Sequence, residues 1–238
     1  MHHLAKKGLA QATVRRYFAP VRAMLRTAYD EDLLRRNPAL GYRLFIPGSR
    51  SPEEKPRLTA TETTNLINPM PPEHSDLVYL LAATGVRVSE GLALTWGDFR
   101  QSRDGQPILH IRKSKTAAGV RRTAVSSDLA RRLLRHRDQT TFSGDEDPIF
   151  PNKFGKTMDS HNFRRRVYRP AAIRAGVPWS TPHDLRHGLA TLMAERGYSA
   201  AHIAAQLGHA DGGKLAMSTY IHVEPLESTD FVDEAFSG

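Results

Sequence analysis

The stretch "QPILHIRKSKTAAGVRRTAVSS", residues 106–127, restricts the fold more than any other part of the chain. It is the one convincing β segment in a sequence whose remaining patterns are helical. Residues 108–112 and 120–125 alternate as two strands around a turn containing lysine and glycine, the signature of a β-hairpin. The fold class that follows is mainly α with a small antiparallel β-sheet (α+β).

The helical segments carry their own punctuation. In the block from residue 10 to 46, Val14, Phe18, Val21, Leu25 and Ala28 recur at helical spacing, with Pro20 expected to kink the helix. Asn37-Pro38 ends that pattern. The stretch "FIPGSRSPEEKPRLT" then mixes Pro47, Pro52 and Pro56 with alternating charges and reads as a linker. Beyond it, "DLVYLLAATG" is an apolar helix stopped by Gly85, and Ser126 or Ser127 caps "DLARRLLRHRD". Further helices are expected at 159–175, at 183–196 with Thr181 as cap and Pro182 in the first position, and at 199–207 with Ser199 as cap. A last one surrounds Tyr220. The expected organisation is therefore a partial helical domain at 1–46, a linker at 47–58 and a larger domain at 59–238.

Composition narrows the function classes. Hydrophobic residues make up 39% and charged residues 25%, ordinary for a globular protein. No apolar run approaches the roughly 18 residues that span a bilayer, and the N-terminus lacks a signal-peptide core. With no cysteine there are no disulfides, thiolate metal sites or cysteine nucleophiles, which fits a reducing, cytoplasmic setting. The formal charge is +9. From Arg100 to Arg137 eleven Lys/Arg face only Asp104 and Asp128, whereas the segment from Ile221 onward has five acids and no base. A basic run alone is most often a solvated face. This segregation points instead to a polyanion-binding body with an acidic tail, nucleic acid being the first candidate.

The chemistry concentrates in a few short stretches. "TPHDLRHGLAT" places His183 and His187 four residues apart, a zinc-like spacing. The glutamate of a zinc-protease helix is missing, however, and Arg186 would repel a cation. An anion suits it better: the first N–H groups of a helix favour negative charge, and His183 and Arg186, three apart, share a face. "ATGVRVSE" puts Arg87 just past a helix-stopping glycine, with Glu90 three residues on to orient it. "IRKSKTAAGV" places Lys115 in the hairpin turn, and "AQLGHADGGKLAMSTYIHV" supplies His209 and then Tyr220.

This set resembles the tyrosine recombinase (phage integrase) family over nearly the whole chain. "TGVRVSE" is similar to its first arginine box and "SKTAAG" to its hairpin lysine motif. "HDLRHGLAT" resembles its His-x-x-Arg box, and "LGHA…TYIHV" its terminal histidine and tyrosine box. The resemblance implies a tyrosine recombinase catalytic-domain fold preceded by part of a core-binding domain, the chain starting partway through that domain. It implies that Tyr220 attacks a scissile phosphate of double-stranded DNA, forms a 3′-phosphotyrosyl link and expels a 5′-hydroxyl. Arg87 and Arg186 then clamp the phosphate oxygens and Lys115, preferred over Lys113, protonates the leaving oxygen. His183 accepts the tyrosine proton or binds an oxygen, and His209 hydrogen-bonds the phosphate. No metal and no nucleotide cofactor are required, because the covalent link conserves the phosphodiester energy. His187, His222 and Glu90 read as supporting residues, and Trp96, Phe99, Phe163 and Tyr168 as core or DNA-backbone contacts. Implied partners are DNA, a tetramer of this chain on paired sites and an accessory DNA-bending protein, with no membrane, in a nucleoid-associated cytoplasmic setting. The acidic tail, with Phe231, Val232 and Phe236, is expected to dock on a neighbouring protomer. Two other readings are a catalytically idle DNA-binding remnant and, more weakly, a type IB topoisomerase.

Overall fold

The computed structural model describes residues 11–42, 56–114 and 117–209. The chain divides into two compact units, Met1–Pro56 and Arg57–Gly238. In the first, helix α1 (Gln11–Asp30) runs on through Pro20, where the sequence suggested a kink. Its last turn carries an Arg26–Asp30 ion pair at 2.8 Å, and Phe18 meets Tyr42 edge-on with ring centroids 6.1 Å apart.

The second unit starts with α2 (Ala60–Ile67), closed by a reciprocal cap: Thr59 Oγ1 accepts from Glu62 N, and Glu62 Oε2 accepts from Thr59 N at 2.8 Å. Helix α3 (Pro72–Thr84) is the centre of the core. Leu77, Val78, Leu80, Leu81 and Thr84 are all buried, so it is apolar around most of its circumference, as a helix covered on several sides must be. It ends at Gly85 in the left-handed region, φ +66°, as the sequence anticipated. The short helix α4 (Val88–Leu92) follows at once.

The sheet has three strands, β1 (Phe99–Gln101), β2 (Pro107–Ile111) and β3 (Arg121–Ala124), antiparallel in the order β1-β2-β3. The hairpin β2–β3 matches the sequence expectation, with Leu109 opposite Thr123. Strand β1 was not anticipated, since three residues are too few to display a period of two. Helix α5 (Ser127–Gln139) is capped by Ser126 and packs on α3.

The helix expected at 159–175 is present but interrupted. It runs as α6 (Ser160–Phe163), a π-helical turn over Arg164–Tyr168, and α7 (Arg169–Arg174). The Arg169 N–H reaches back five residues to Arg164 O. The wider turn accommodates the ring of Pro170, which in a regular helix would press on the Arg166 carbonyl. Phe163 and Tyr168 are buried there, as is Trp96, and Phe99 is partly buried, so these aromatics are core residues. Helix α8 (Pro182–Glu195) packs on α3 and opens with a Thr181–Asp184 capping box. Helix α9 (Ala200–Leu207) rests on α8 through Ala190, Ile203 and Leu207. Among the described residues no helix is long and apolar enough to cross a membrane.

Gly85 is where this packing leaves least room. A Cβ there would overlap a methyl of Leu207 and stand 3.0 Å from one of Leu189, in a backbone conformation that side chains disfavour. Gly85→Ala should destabilise the protein by about 2 kcal/mol or more, adding overpacking to the left-handed penalty. Urea unfolding of the two forms measures this, and an unchanged midpoint would refute it.

Candidate active site

Three backbone segments meet around Gly85. The first is the loop into α4. Val86 and Val88 are buried on either side of Arg87, which leaves the arginine side chain about a third exposed, at 32%. Glu90, in the first turn of α4, captures Arg87 twice: Oε2 accepts from its backbone N at 3.0 Å and Oε1 from Nη1 at 2.8 Å. The orienting role expected for Glu90 is thus a direct ion pair.

The second segment is α8. Its buried face carries Leu185 and Arg186, and Arg186 Nη1 donates to Gly85 O at 2.7 Å. Arg186 is only 3% exposed, so it lies inside the protein rather than alongside His183 on an open face. His183 is exposed and packs edge-to-face on His187, ring centroids 4.5 Å apart.

The third is the end of α9, fixed from both sides. Gln206 Nε2 donates to Thr84 O at 3.2 Å, and Gln206 O accepts from Arg121 Nε at 2.9 Å. His209 follows directly, partly buried. Arg121, the first residue of β3, is a residue that sequence reasoning passed over. Its side chain is 7% exposed, its Nη1 donates to Gly119 O at 2.8 Å, and the same nitrogen lies 3.4 Å from Glu90 Oε2. The only signal for it was an arginine in an alternating strand, which ordinarily points to solvent.

Of the six residues proposed from sequence, Arg87, His183, Arg186 and His209 lie on the segments that meet here. Lys115 and Tyr220 lie outside the described residues, as do His222 and the acidic tail. Lys113 is exposed at the base of the turn.

The electrostatics are one-sided. Arg87 and Arg121 flank the Glu90 carboxylate, and Arg186 is buried against the Gly85 carbonyl. Burial would raise the pKa of Glu90, but hydrogen bonds from Ser114 and Arg87 and the charge of Arg121 outweigh it and hold the group below its ordinary value. Burial lowers the pKa of Arg121 despite the attraction of Glu90. His183 is pushed down to about 4, by desolvation first and then by His187, Arg186 and Arg87. Its solvent-facing edge tempers the size of that shift but not its direction, so the ring is neutral near pH 7.

Two outcomes follow from these charges. Glu90→Ala removes the partner of two arginines and should cost about 3 kcal/mol, the scale for breaking a buried pair, read as a lower urea midpoint. His183 has a folded pKa below its unfolded one, so the unfolded chain protonates first and stability falls as pH drops from 6.5 toward about 4. Replacing it with glutamine should flatten the stability profile across that window. The same slope in both proteins would show that His183 is not responsible.

The sequence model of the Phage integrase family matches residues 52–227. The XerC-like tyrosine recombinase of Caldanaerobacter subterraneus subsp. tengcongensis is 26% identical over 268 residues, an alignment covering 97% of this chain and 67% of that protein. Tyrosine recombinase XerC of Chlamydia trachomatis serovar L2 is 28% identical over 225 residues, covering 90% and 69% respectively. In fold, the chain is similar to the Tn1549 transposon integrase in complex with transposon right end DNA, with a TM-score of 0.76 at 20% identity over 99% of this chain and 82% of that one. A family match across most of the larger unit, on a chain with this fold, settles descent: the protein belongs to the phage integrase family, the tyrosine recombinases, which cleave and rejoin DNA.

Proposed function

We propose that this chain performs site-specific recombination on double-stranded DNA with Tyr220 as nucleophile. The observation that carries the reading is the meeting of the Arg87 loop, the His183–Arg186 turn of α8 and the His209 end of α9 around Gly85. That arrangement suits a phosphodiester whose transition state gathers charge on its non-bridging oxygens.

In the proposed step, Tyr220 Oη bonds to phosphorus as the P–O5′ bond breaks. The tyrosine proton passes to His183, which is neutral near pH 7 and able to accept it. Burial first, and then His187 and the two guanidiniums, hold the imidazole acidic in the free protein. A phosphate anion entering beside it offsets those cations and makes it a better base. Arg87 and Arg186 neutralise the oxygens, Arg186 from within the protein. His209 donates a hydrogen bond to the phosphate, and Lys115 gives a proton to the departing 5′-oxygen. The freed 5′-hydroxyl of a partner strand then attacks the 3′-phosphotyrosyl link, restoring the phosphodiester and the tyrosine.

The exposed Arg164, Arg165, Arg166, Arg169 and Arg174 on the α6–α7 stretch extend a basic surface suited to the DNA backbone. Residues 1–46 serve as part of a core-binding domain, 47–58 as linker and 59–238 as catalytic domain. Strand exchange calls for a tetramer on paired sites, with the acidic tail after Tyr220 docked on a neighbouring protomer and a DNA-bending protein as accessory. The likeness to a transposon integrase supports a mobile-element setting, with the protein acting at the nucleoid in the cytoplasm.

A suicide duplex, nicked beside the cleavage point so that religation fails, tests the chemistry. The wild-type chain should form a covalent DNA adduct in the presence of chelator, and Tyr220→Phe should form none. Arg87→Ala should slow adduct formation about 10²- to 10³-fold, the cost of removing one donor from a preorganised oxyanion site. Adduct formation by Tyr220→Phe would refute the assignment.

A further inference from the structure

The turn that carries Lys115 leaves β2 through Ser114 and returns to β3 through Gly119, and both ends are tied to one buried pair. Ser114 Oγ donates to Glu90 Oε1 at 2.7 Å. Gly119 O accepts from Arg121 Nη1 at 2.8 Å, and that nitrogen lies 3.4 Å from Glu90 Oε2. The base of the turn is thus closed by a chain of contacts running Ser114, Glu90, Arg121, Gly119. The oxygen that holds Ser114 also accepts from Arg87 Nη1 at 2.8 Å.

Packing holds the same arrangement. Gly119 is buried, and a Cβ on it would overlap the Ser114 hydroxyl and methylene and approach Glu90 Oε1 to 3.5 Å. The two arms of the turn therefore meet so closely that no side chain fits at 119. The Glu90 side chain is 3% exposed, so water does not compete for the Ser114 hydrogen bond. A short hydroxyl-to-carboxylate bond in that setting is of the stronger, charge-assisted kind.

We infer that Ser114 is a positioning residue: its hydrogen bond to Glu90 latches the base of the β2–β3 turn to the arginine cluster, so that the lysine next in sequence is presented as acid only alongside an assembled phosphate clamp. The inference rests on the recombinase reading of the site. The step it controls is transfer of a proton from Lys115 Nζ to the 5′-oxygen as P–O5′ breaks and the Tyr220 Oη–P bond forms. Ser114 touches neither DNA nor the reacting atoms.

The discriminating probe is a leaving group that needs no proton. A duplex is recovered by covalent capture from a random library with the wild-type chain. It is then made with either oxygen or sulfur at the 5′-bridging position, sulfur departing unaided as thiolate. In single-turnover cleavage, Ser114→Ala should cut the oxygen duplex about tenfold or more slowly and the sulfur duplex near the wild-type rate, the pattern expected more deeply for Lys115→Ala. Gly119→Ala, which displaces the hydroxyl, should behave like Ser114→Ala. The double variant Ser114→Gly/Gly119→Ala refills the space without a donor and should remain slow on oxygen.

Equal slowing of Ser114→Ala on both duplexes would overturn the inference, because Ser114 would then act through the arginines. Wild-type rates on oxygen, or recovery in the double variant, would overturn it as well. A second arm uses no DNA. Trypsin should nick folded Ser114→Ala within the turn, after Lys113 or Lys115, about tenfold faster than wild type, as expected on losing a hydrogen bond to a charged group. Equal nicking rates would refute the latch whatever the DNA result. Failure of the wild-type chain to capture any duplex, with the nicking difference present, would instead overturn the recombinase reading and leave Ser114 a latch without that role.

Discussion

One carboxylate, Glu90, holds together elements that are otherwise far apart in the chain. It takes the backbone and guanidinium of Arg87, the guanidinium of Arg121 from β3 and the hydroxyl of Ser114 from the end of β2. A buried ion with fewer partners would be expelled or neutralised. With these partners it stays ionised, and it gives the helical core and the hairpin a common origin. The hairpin also joins the apolar core through Leu109 and Ile111, so charge pairing and packing fix its position together.

The surrounding packing makes that junction rigid. Helix α3 is buried along most of its length and ends at Gly85, where a side chain would crowd Leu207 and Leu189, and α8 and the end of α9 close on that point. Arg186 reaches through the gap to the Gly85 carbonyl, and Gln206 ties the end of α9 to Thr84 and Arg121. Such a framework delivers side chains from three distant segments to one place without depending on long flexible loops, which is what charge stabilisation in a transition state requires.

The site is also prepared electrostatically. Two guanidiniums share the Glu90 carboxylate and a third, Arg186, lies buried at Gly85, leaving an excess of positive charge that adds to desolvation in keeping His183 neutral. Desolvated cations of this kind are costly in the free protein and favourable once an anion arrives. The same surplus appears at low resolution in the sequence, as the basic segment from Arg100 to Arg137.

Much of the architecture was legible because its signals are local. Ser126, Thr181 and Ser199 cap helices through contacts with residues three positions away, and Gly85 stops α3 for a backbone reason that needs no partner. The spacing of Arg87 to Glu90 likewise made an ion pair readable within one turn of helix. The helix Ala60–Ile67 and its Thr59 cap were not anticipated, because a largely polar eight-residue segment that buries only Leu66 and Ile67 shows little apolar periodicity. The π-turn over Arg164–Tyr168 and the three-residue β1 were not legible: a shifted hydrogen-bond ladder alters no periodicity, and a strand that short has none to alter.

The sequence by itself determined the caps at Ser126, Thr181 and Ser199, the stop at Gly85, the hairpin, the excess of positive charge and the family motifs, because each depends on residues a few positions apart. Only the tertiary structure decided that Arg121 turns inward, that Arg186 is covered while His183 is open, and that Ser114 reaches Glu90. Those outcomes depend on pairs separated by 24 to 101 positions, Ser114 with Glu90 and Arg186 with Gly85. Contacts at that separation form only once the core has brought the segments together, and no local pattern encodes them.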